Sequence, residues 1–82
     1  MSRYFLHLRD GSDELLDPEG SFFDDLDQLR SAVLAGARDV MANELKSAGT
    51  VDLRYRIDAE DENGNIVFSL PFADAVHIVP AH

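Results

Sequence analysis

The chain has 82 residues, enough for one small hydrophobic core, so we predict a single domain over residues 1–82. The absence of cysteine excludes disulfides, zinc–thiolate centres and thiol nucleophiles, and a hydrophobic content of 45% is typical of a folded protein. Sixteen acidic against seven basic residues give a net charge of −9, which disfavours nucleic-acid binding because cations supply the affinity for phosphates.

The first predicted element is a strand over residues 3–9. Its alternation puts Tyr4, Leu6 and Leu8 on one face and Phe5, His7 and Arg9 on the other. Residues 10–13 have turn chemistry, so residues 14–17 are predicted to return as a short second strand. Pro18 ends this strand because proline cannot donate to a β-ladder. The next residues, Ser21-Phe22-Phe23, are predicted to lead the chain off the sheet.

A helical period follows from Asp25. Apolar residues recur at intervals of three and four, at Leu26, Leu29, Val33, Leu34, Ala37, Val40 and Met41. Asp24 or Asp25 can cap the helix, Gln28 can complete a capping box, and Lys46 and Gly49 mark its end. The pattern predicts one amphipathic helix of about 23 residues.

Residues 51–58 alternate between apolar and charged side chains, which predicts a half-buried strand. Asn63-Gly64 is a strong signal for a type I′ hairpin turn, so residues 66–70 are predicted to form the returning strand. Residues 72–79 suit either one helical turn or a short strand, and we favour the helical turn.

The element order β-β-α-β-β predicts a two-layer α+β fold, a four-stranded antiparallel sheet with one long helix on one face. The predicted core is Tyr4, Leu6, Leu8, Leu29, Val33, Val40, Tyr55, Ile57 and Phe68. A helix of roughly 35 Å is longer than a strand of roughly 20 Å, so the helix should extend beyond the sheet. Either residues 72–79 or a second copy of the chain would then cover its far end.

The helix offers a candidate surface for homodimer formation. Gly36 costs about 1 kcal/mol relative to alanine in a helix interior, and together with Ala32 it forms a smooth patch that another backbone could approach. Met41 and Leu45 lie nearer the far end of the helix. We therefore predict self-association through Ala32, Gly36, Met41 and Leu45, the alternative being a tolerated glycine without a partner.

The helix-free face of the sheet is a second candidate surface. Its predicted ligand-binding or partner-binding residues are Phe5, His7, Arg9, Arg54 and Arg56. Such a positive, partly aromatic face suits a small anion, a single-stranded nucleic acid or an acidic partner. In the alternative interpretation, the arginines pair with neighbouring carboxylates such as Asp52 and Asp58.

Catalytic signatures are missing from the sequence, which contains no GxSxG elbow, HExxH pair or phosphate-binding glycine loop. We assign no catalytic residue, no cofactor and no metal site. The acidic run at residues 58–64 does not fit an EF-hand, because Ala59 and Leu70 occupy ligand positions. An enzyme is disfavoured, and a small enzyme that uses His7 is the third hypothesis.

Residues 10–27 contain eight carboxylates and no basic residue, a charge that suits a basic protein partner, although we favour the simpler interpretation that it keeps the protein soluble. The apolar runs are too short to span a bilayer, and His7 and Arg9 interrupt the apolar start before a secretory signal can form. We therefore predict a cytoplasmic protein. The leading hypothesis is a non-enzymatic interaction module that forms a homodimer.

Short segments in a fixed order carry a family resemblance. They are RYFLHL at residues 3–8, DG at 10–11, DPEG at 17–20, DENG at 61–64 and PFADAV at 71–76, with the long helix between the third and fourth. This arrangement resembles a family of small bacterial proteins, the domain of unknown function 6894. The resemblance implies a short cytoplasmic bacterial protein, and because the family has no assigned activity it implies no site residues.

Overall fold

The computed structural model describes residues 1–81, which form five β-strands and one long α-helix. The strands are β1 (Ser2–Arg9), β2 (Glu14–Leu15), β3 (Ser21–Phe23), β4 (Arg56–Glu60) and β5 (Ile66–Pro71), and the helix α1 spans Leu26–Ala48. Every strand pair is antiparallel. The sheet order is β2-β1-β4-β5, and β3 also pairs with β1. The predicted two-layer α+β fold is confirmed, with one strand more than predicted.

The ends of α1 follow the predicted capping chemistry. The Asp25 carboxylate accepts the backbone N–H of Gln28 at 2.8 Å, while the Gln28 side-chain oxygen accepts the N–H of Asp24 at 3.0 Å. Gly49 ends the helix in the left-handed conformation at φ 67°. Over the described residues, no helix combines the length and apolar character that crossing a membrane requires.

The core lies between α1 and one face of the sheet. Its buried apolar residues are Leu29, Val33, Ala37, Met41, Ile57, Ala59, Phe72 and Ala75. Of the predicted core, Leu29, Val33 and Ile57 are fully buried, and the other members are partly buried against this cluster. Most of the burial therefore comes from the apolar stripe of the helix, as its period indicates.

The segment after β5 covers part of the far end of α1. A 3-10 turn spans Phe72–Asp74, which confirms the favoured helical turn. The Arg38 Nε then donates to the carbonyl oxygen of Ala75 at 2.9 Å, fixing this segment to the helix. An apolar groove remains beside it, lined by Arg38, Met41, Ala42, Leu45, Val51, Val76 and Ile78.

Three of the strand predictions are wrong. The second strand, predicted over residues 14–17, ends at Leu15. Residues 51–55 are not a strand, because the Asp52 carboxylate accepts the N–H of Arg54 at 3.0 Å and turns the backbone before β4 begins. The strand β4 instead begins at Arg56 and continues past Asp58 to Glu60. Ser21–Phe23 does not leave the sheet. It forms β3, which pairs with residues 2–4 of β1, whereas β4 pairs with residues 5–9.

Candidate functional site

The open face of the sheet is the face away from α1. It carries Phe5, His7 and Arg9 from β1, Arg56, Asp58 and Glu60 from β4, and Ser69 from β5. The structure thus brings four of the five predicted binding residues to one face, with Arg9 directly opposite Arg56. Arg54 is the exception, because it lies in the turn before β4 and pairs with Asp52 at 2.8 Å.

Asp58 is the centre of the polar contacts on the open face. Its side chain is only 2% exposed and accepts hydrogen bonds from Ser69 Oγ at 2.5 Å, Arg9 Nη1 at 2.9 Å and Arg56 Nε at 3.1 Å. Burial by itself would raise the pKa of this carboxyl group, but the bonds from Ser69, Arg9 and Arg56 outweigh it and lower the pKa. Asp58 is therefore a buried carboxylate stabilised by its neighbours.

Arg9 connects three strands through its guanidinium group. It bonds to Asp58 at 2.9 Å, to Glu14 of β2 at 3.0 Å and to Glu60 of β4 at 2.9 Å, and these bonds raise the pKa of Arg9. The arginines of the face are thus paired with carboxylates of their own sheet, which confirms the alternative interpretation. Within residues 1–81, no group of three or more His, Asp or Glu side chains is arranged to hold a metal ion.

His7 is covered by the loop between β2 and β3. Its Nδ1 accepts the backbone N–H of Asp17 at 3.1 Å, and its Nε2 lies 3.5 Å from a Glu60 carboxylate oxygen. Gly20 packs against the same face at φ 71°, where a Cβ would lie 3.0 Å from the Phe5 ring. The open face is therefore partly closed by its own chain, and only 9% of His7 is exposed.

The sequence interpretation missed an aromatic and cationic group at the start of β1. The Arg3 guanidinium lies 5.4 Å from the Phe5 ring centroid and 5.8 Å from that of Phe22, and Phe22 is 59% exposed. The alternation of β1 could have identified Arg3. Phe22 could not be found in this way, because Ser21–Phe23 was predicted to lie off the sheet.

The residues predicted for self-association lie mainly against their own subunit. Met41 is 5% exposed within the core, and a Cβ on Gly36 would lie 3.7 Å from Ile57 of the same sheet. Ala32 is half-buried, whereas Leu45 is 54% exposed and lines the apolar groove at the far end of α1. The side of the helix that carries Gly36 and Met41 faces the sheet, so Leu45 is the accessible member of the group.

The outer edge of β5 is a second candidate site, because β5 is the last strand on its side of the sheet. Its six residues, IVFSLP, carry no charge. Ile66 is 55% exposed and Val67 is 41% exposed. An uncharged strand at a sheet edge can pair with a further strand through its unbonded N–H and C=O groups.

The comparisons with known proteins give a family and no activity. No match to the chain was found among curated proteins or among solved structures. The model of one family, described as a domain of unknown function, matches residues 3–73, which include all five strands and the helix apart from the first residue of β1. The chain therefore belongs to the DUF6894 family.

Proposed function

We propose that this protein is a non-enzymatic interaction module that self-associates as a homodimer through the outer edge of β5. The free edge is the observation that supports this function. Natural sheets usually protect an edge with charged side chains, an early proline or a covering segment. In β5 no residue is charged, Pro71 stands only at the last position of the strand, and one register shift interrupts the pairing with β4 between Ala59 and Glu60.

The charge distribution favours a second copy as the partner. Two chains that each carry a net charge of −9 repel each other, so their contact should use the least charged surface. The strand β5 is uncharged, and it lies on the side of the sheet opposite β2. Pairing through β5 would therefore keep the acidic residues around β2 away from the contact.

The alternative proposal is a binder of a small anion or single-stranded nucleic acid on the open face. The geometry supports it less well, because Arg9 and Arg56 already bond to Asp58, and Arg54 already bonds to Asp52. A basic protein partner for the acidic residues 10–27 is a further proposal. An enzyme that uses His7 has the least support, since the ring is buried and its Nδ1 accepts a backbone N–H.

Sedimentation equilibrium over a range of protein concentrations tests the proposed function. We expect the wild type to change from monomer to dimer as concentration rises. Val67→Glu should weaken this association at least about tenfold, because a charged side chain on the exposed edge strand opposes pairing and adds to the repulsion between two acidic chains, and a tenfold change corresponds to about 1.4 kcal/mol.

Val67→Thr is the matched control, because it keeps a β-branched and uncharged side chain at this position, and it should dimerise like the wild type. Circular dichroism checks that all three proteins are folded. A wild type that stays monomeric at the highest concentration contradicts the proposal. Dimerisation of a folded Val67→Glu variant with unchanged affinity contradicts the use of the β5 edge.

A further inference from the structure

We infer that a cavity near the far end of α1 binds small organic cations, in which an ammonium group is attached to an apolar body. The cavity has a volume of about 210 Å³ and lies between the second half of α1, the end of β1 and the segment that precedes β4. None of its lining residues belongs to β5, so this inference goes beyond the proposed dimer and does not depend on it.

Half of the cavity lining is apolar and comes from Leu8, Val40, Met41 and Phe72. Met41 and Phe72 are only 5% and 2% exposed, so they belong to the fixed core of the protein. The N–H of Phe72 donates to the carbonyl oxygen of Tyr55 at 2.9 Å, and the centroids of these two rings are 6.0 Å apart. The cavity therefore offers a preformed surface with two aromatic rings to the apolar part of a ligand.

The other lining residues are polar: Glu44, Thr50, Asp52 and Tyr55. Glu44 follows Val40 by four residues, so both side chains lie on the same side of α1. The Asp52 carboxylate already pairs with the Arg54 guanidinium at 2.8 Å, whereas Glu44 has no ion-pair partner within residues 1–81. Glu44 is thus the carboxylate that remains available to a cationic ligand.

The charges around Tyr55 favour a cation as well. The negative charge of Asp10 is the largest cause that raises the pKa of Tyr55. Partial loss of hydration and the charges of Asp13 and Asp52 act in the same direction, while Arg54 opposes them. A negative potential raises the pKa of a phenol because it disfavours the phenolate, and the same potential attracts a positively charged ligand.

The apolar and the acidic parts of the cavity together define the class of ligand. A bare metal ion suits it poorly, because such an ion takes several oxygen ligands and no group of three or more His, Asp or Glu side chains in the described part of the chain could hold one. An anion would be repelled by Glu44. An ammonium group beside Glu44, with the hydroxyl groups of Thr50 and Tyr55 as further acceptors, would leave the apolar body against Leu8 and Phe72.

Nuclear magnetic resonance titration of the isotope-labelled protein at pH 7 tests the inference. The probes are benzylammonium, benzyl alcohol and benzoate, which share a phenyl ring and differ in the charge of the polar group. We expect benzylammonium to shift the backbone amide signals of Glu44, Thr50 and Tyr55. It should bind at least about threefold more tightly than benzyl alcohol, because an exposed charge pair contributes modestly to affinity, and benzoate should cause no shift at these positions.

Glu44→Gln removes the charge and keeps the size of the side chain. It should weaken the binding of benzylammonium about two- to fivefold and leave the binding of benzyl alcohol unchanged. Asp39→Asn is the matched control, because it removes the same charge from an exposed position of α1 that does not line the cavity. This control should change the affinity for benzylammonium by much less than Glu44→Gln does.

Equal weakening in the two variants would reveal a general attraction to the acidic chain and would overturn the assigned site. Shifts confined to residues outside the cavity, an equal affinity for benzoate, or no shift with benzylammonium would overturn it too. Sedimentation of the wild type is a separate measurement, so each of these outcomes leaves the proposed dimer as it stands.

Discussion

The two edges of the sheet are built in different ways. Along the outer side of β1, the pairing strands have only two and three residues, and between them the Asp17 carboxylate accepts the N–H of Leu6 at 3.2 Å. On the other side, β5 presents six uncharged residues and pairs with no further strand among the described residues. A broken, acidic edge resists further pairing and an uncharged edge permits it, so the fold directs association to one side.

The largest expected effect concerns Asp58, which connects the two sides of the sheet by contacting Arg9 of β1 and Ser69 of β5. Asp58→Ala should lower the free energy of unfolding by about 3 kcal/mol, because it removes the hydrogen bonds from Ser69, Arg9 and Arg56 to a buried carboxylate at once. Chemical denaturation monitored by circular dichroism measures this change.

Ser69→Ala is the matched control for Asp58→Ala, because it removes one hydrogen bond and leaves both arginines paired with the carboxylate. It should cost about 1 kcal/mol. Equal losses in the two variants would contradict the view that the charge pairs at Asp58 stabilise this face.

The second-largest effect concerns the edge of the sheet that β2 and β3 form beside β1. Asp17 accepts backbone N–H groups from Leu6, Glu19 and Gly20 at 3.2, 3.4 and 3.1 Å. Asp17→Ala should lower the free energy of unfolding at pH 7 by about 2 kcal/mol, because charge-assisted bonds to backbone N–H groups are lost. The free energy of unfolding of both proteins is measured by denaturant titration.

The effect of pH on the difference in unfolding free energy between wild type and Asp17→Ala serves as the control. Burial would raise the pKa of Asp17, but the backbone hydrogen bonds outweigh it and lower the pKa in the folded state. The contribution of Asp17 is therefore complete above the unfolded pKa of about 3.9 and is lost as pH falls through the lower folded pKa. The difference in free energy of unfolding between wild type and Asp17→Ala should therefore become smaller as pH falls through that range. A difference that grows in acid would contradict this account.

The smallest effect is that of salt on dimer formation. Raising the ionic strength from about 0.05 M to about 0.5 M screens the repulsion between two acidic chains, so the dimer Kd should fall by roughly three- to tenfold. Sedimentation at several salt concentrations measures it. A Kd that rises with salt would indicate that an acidic segment of one copy binds a basic surface of the other, contrary to pairing through an uncharged edge.

The helix was predictable because its signals are local. Asp25, Gln28 and Gly49 act on the backbone within a few residues, and the structure uses each of them as predicted. The start of β4 was not predictable from alternation alone, since the side-chain pattern of residues 51–55 fits a strand as well as a turn. The bond from the Arg54 N–H to Asp52 determines the outcome there, and only the folded chain shows it.

The side chains that β1 places on the open face were predictable for the same reason as the helix, because the signal is local. The period of two in β1 correctly put Phe5, His7 and Arg9 on one face, because that period is a property of the strand itself. Asp58 was expected only as one of the carboxylates that pair with the arginines, and its burial was not predicted. Its burial depends on contacts with two other strands, and no local pattern reports those contacts.

The three bonds of Arg9 have a consequence for the chemistry that position 9 accepts. Its Nε donates to Glu14 of β2 and its Nη1 donates to Asp58 and Glu60 of β4, so one planar guanidinium group contacts two neighbouring strands. A lysine would bring the same charge on a single compact ammonium, which cannot reach three divergent acceptors in that plane. Position 9 therefore requires the planar shape of the guanidinium group as well as its positive charge, because one side chain has to hold two neighbouring strands.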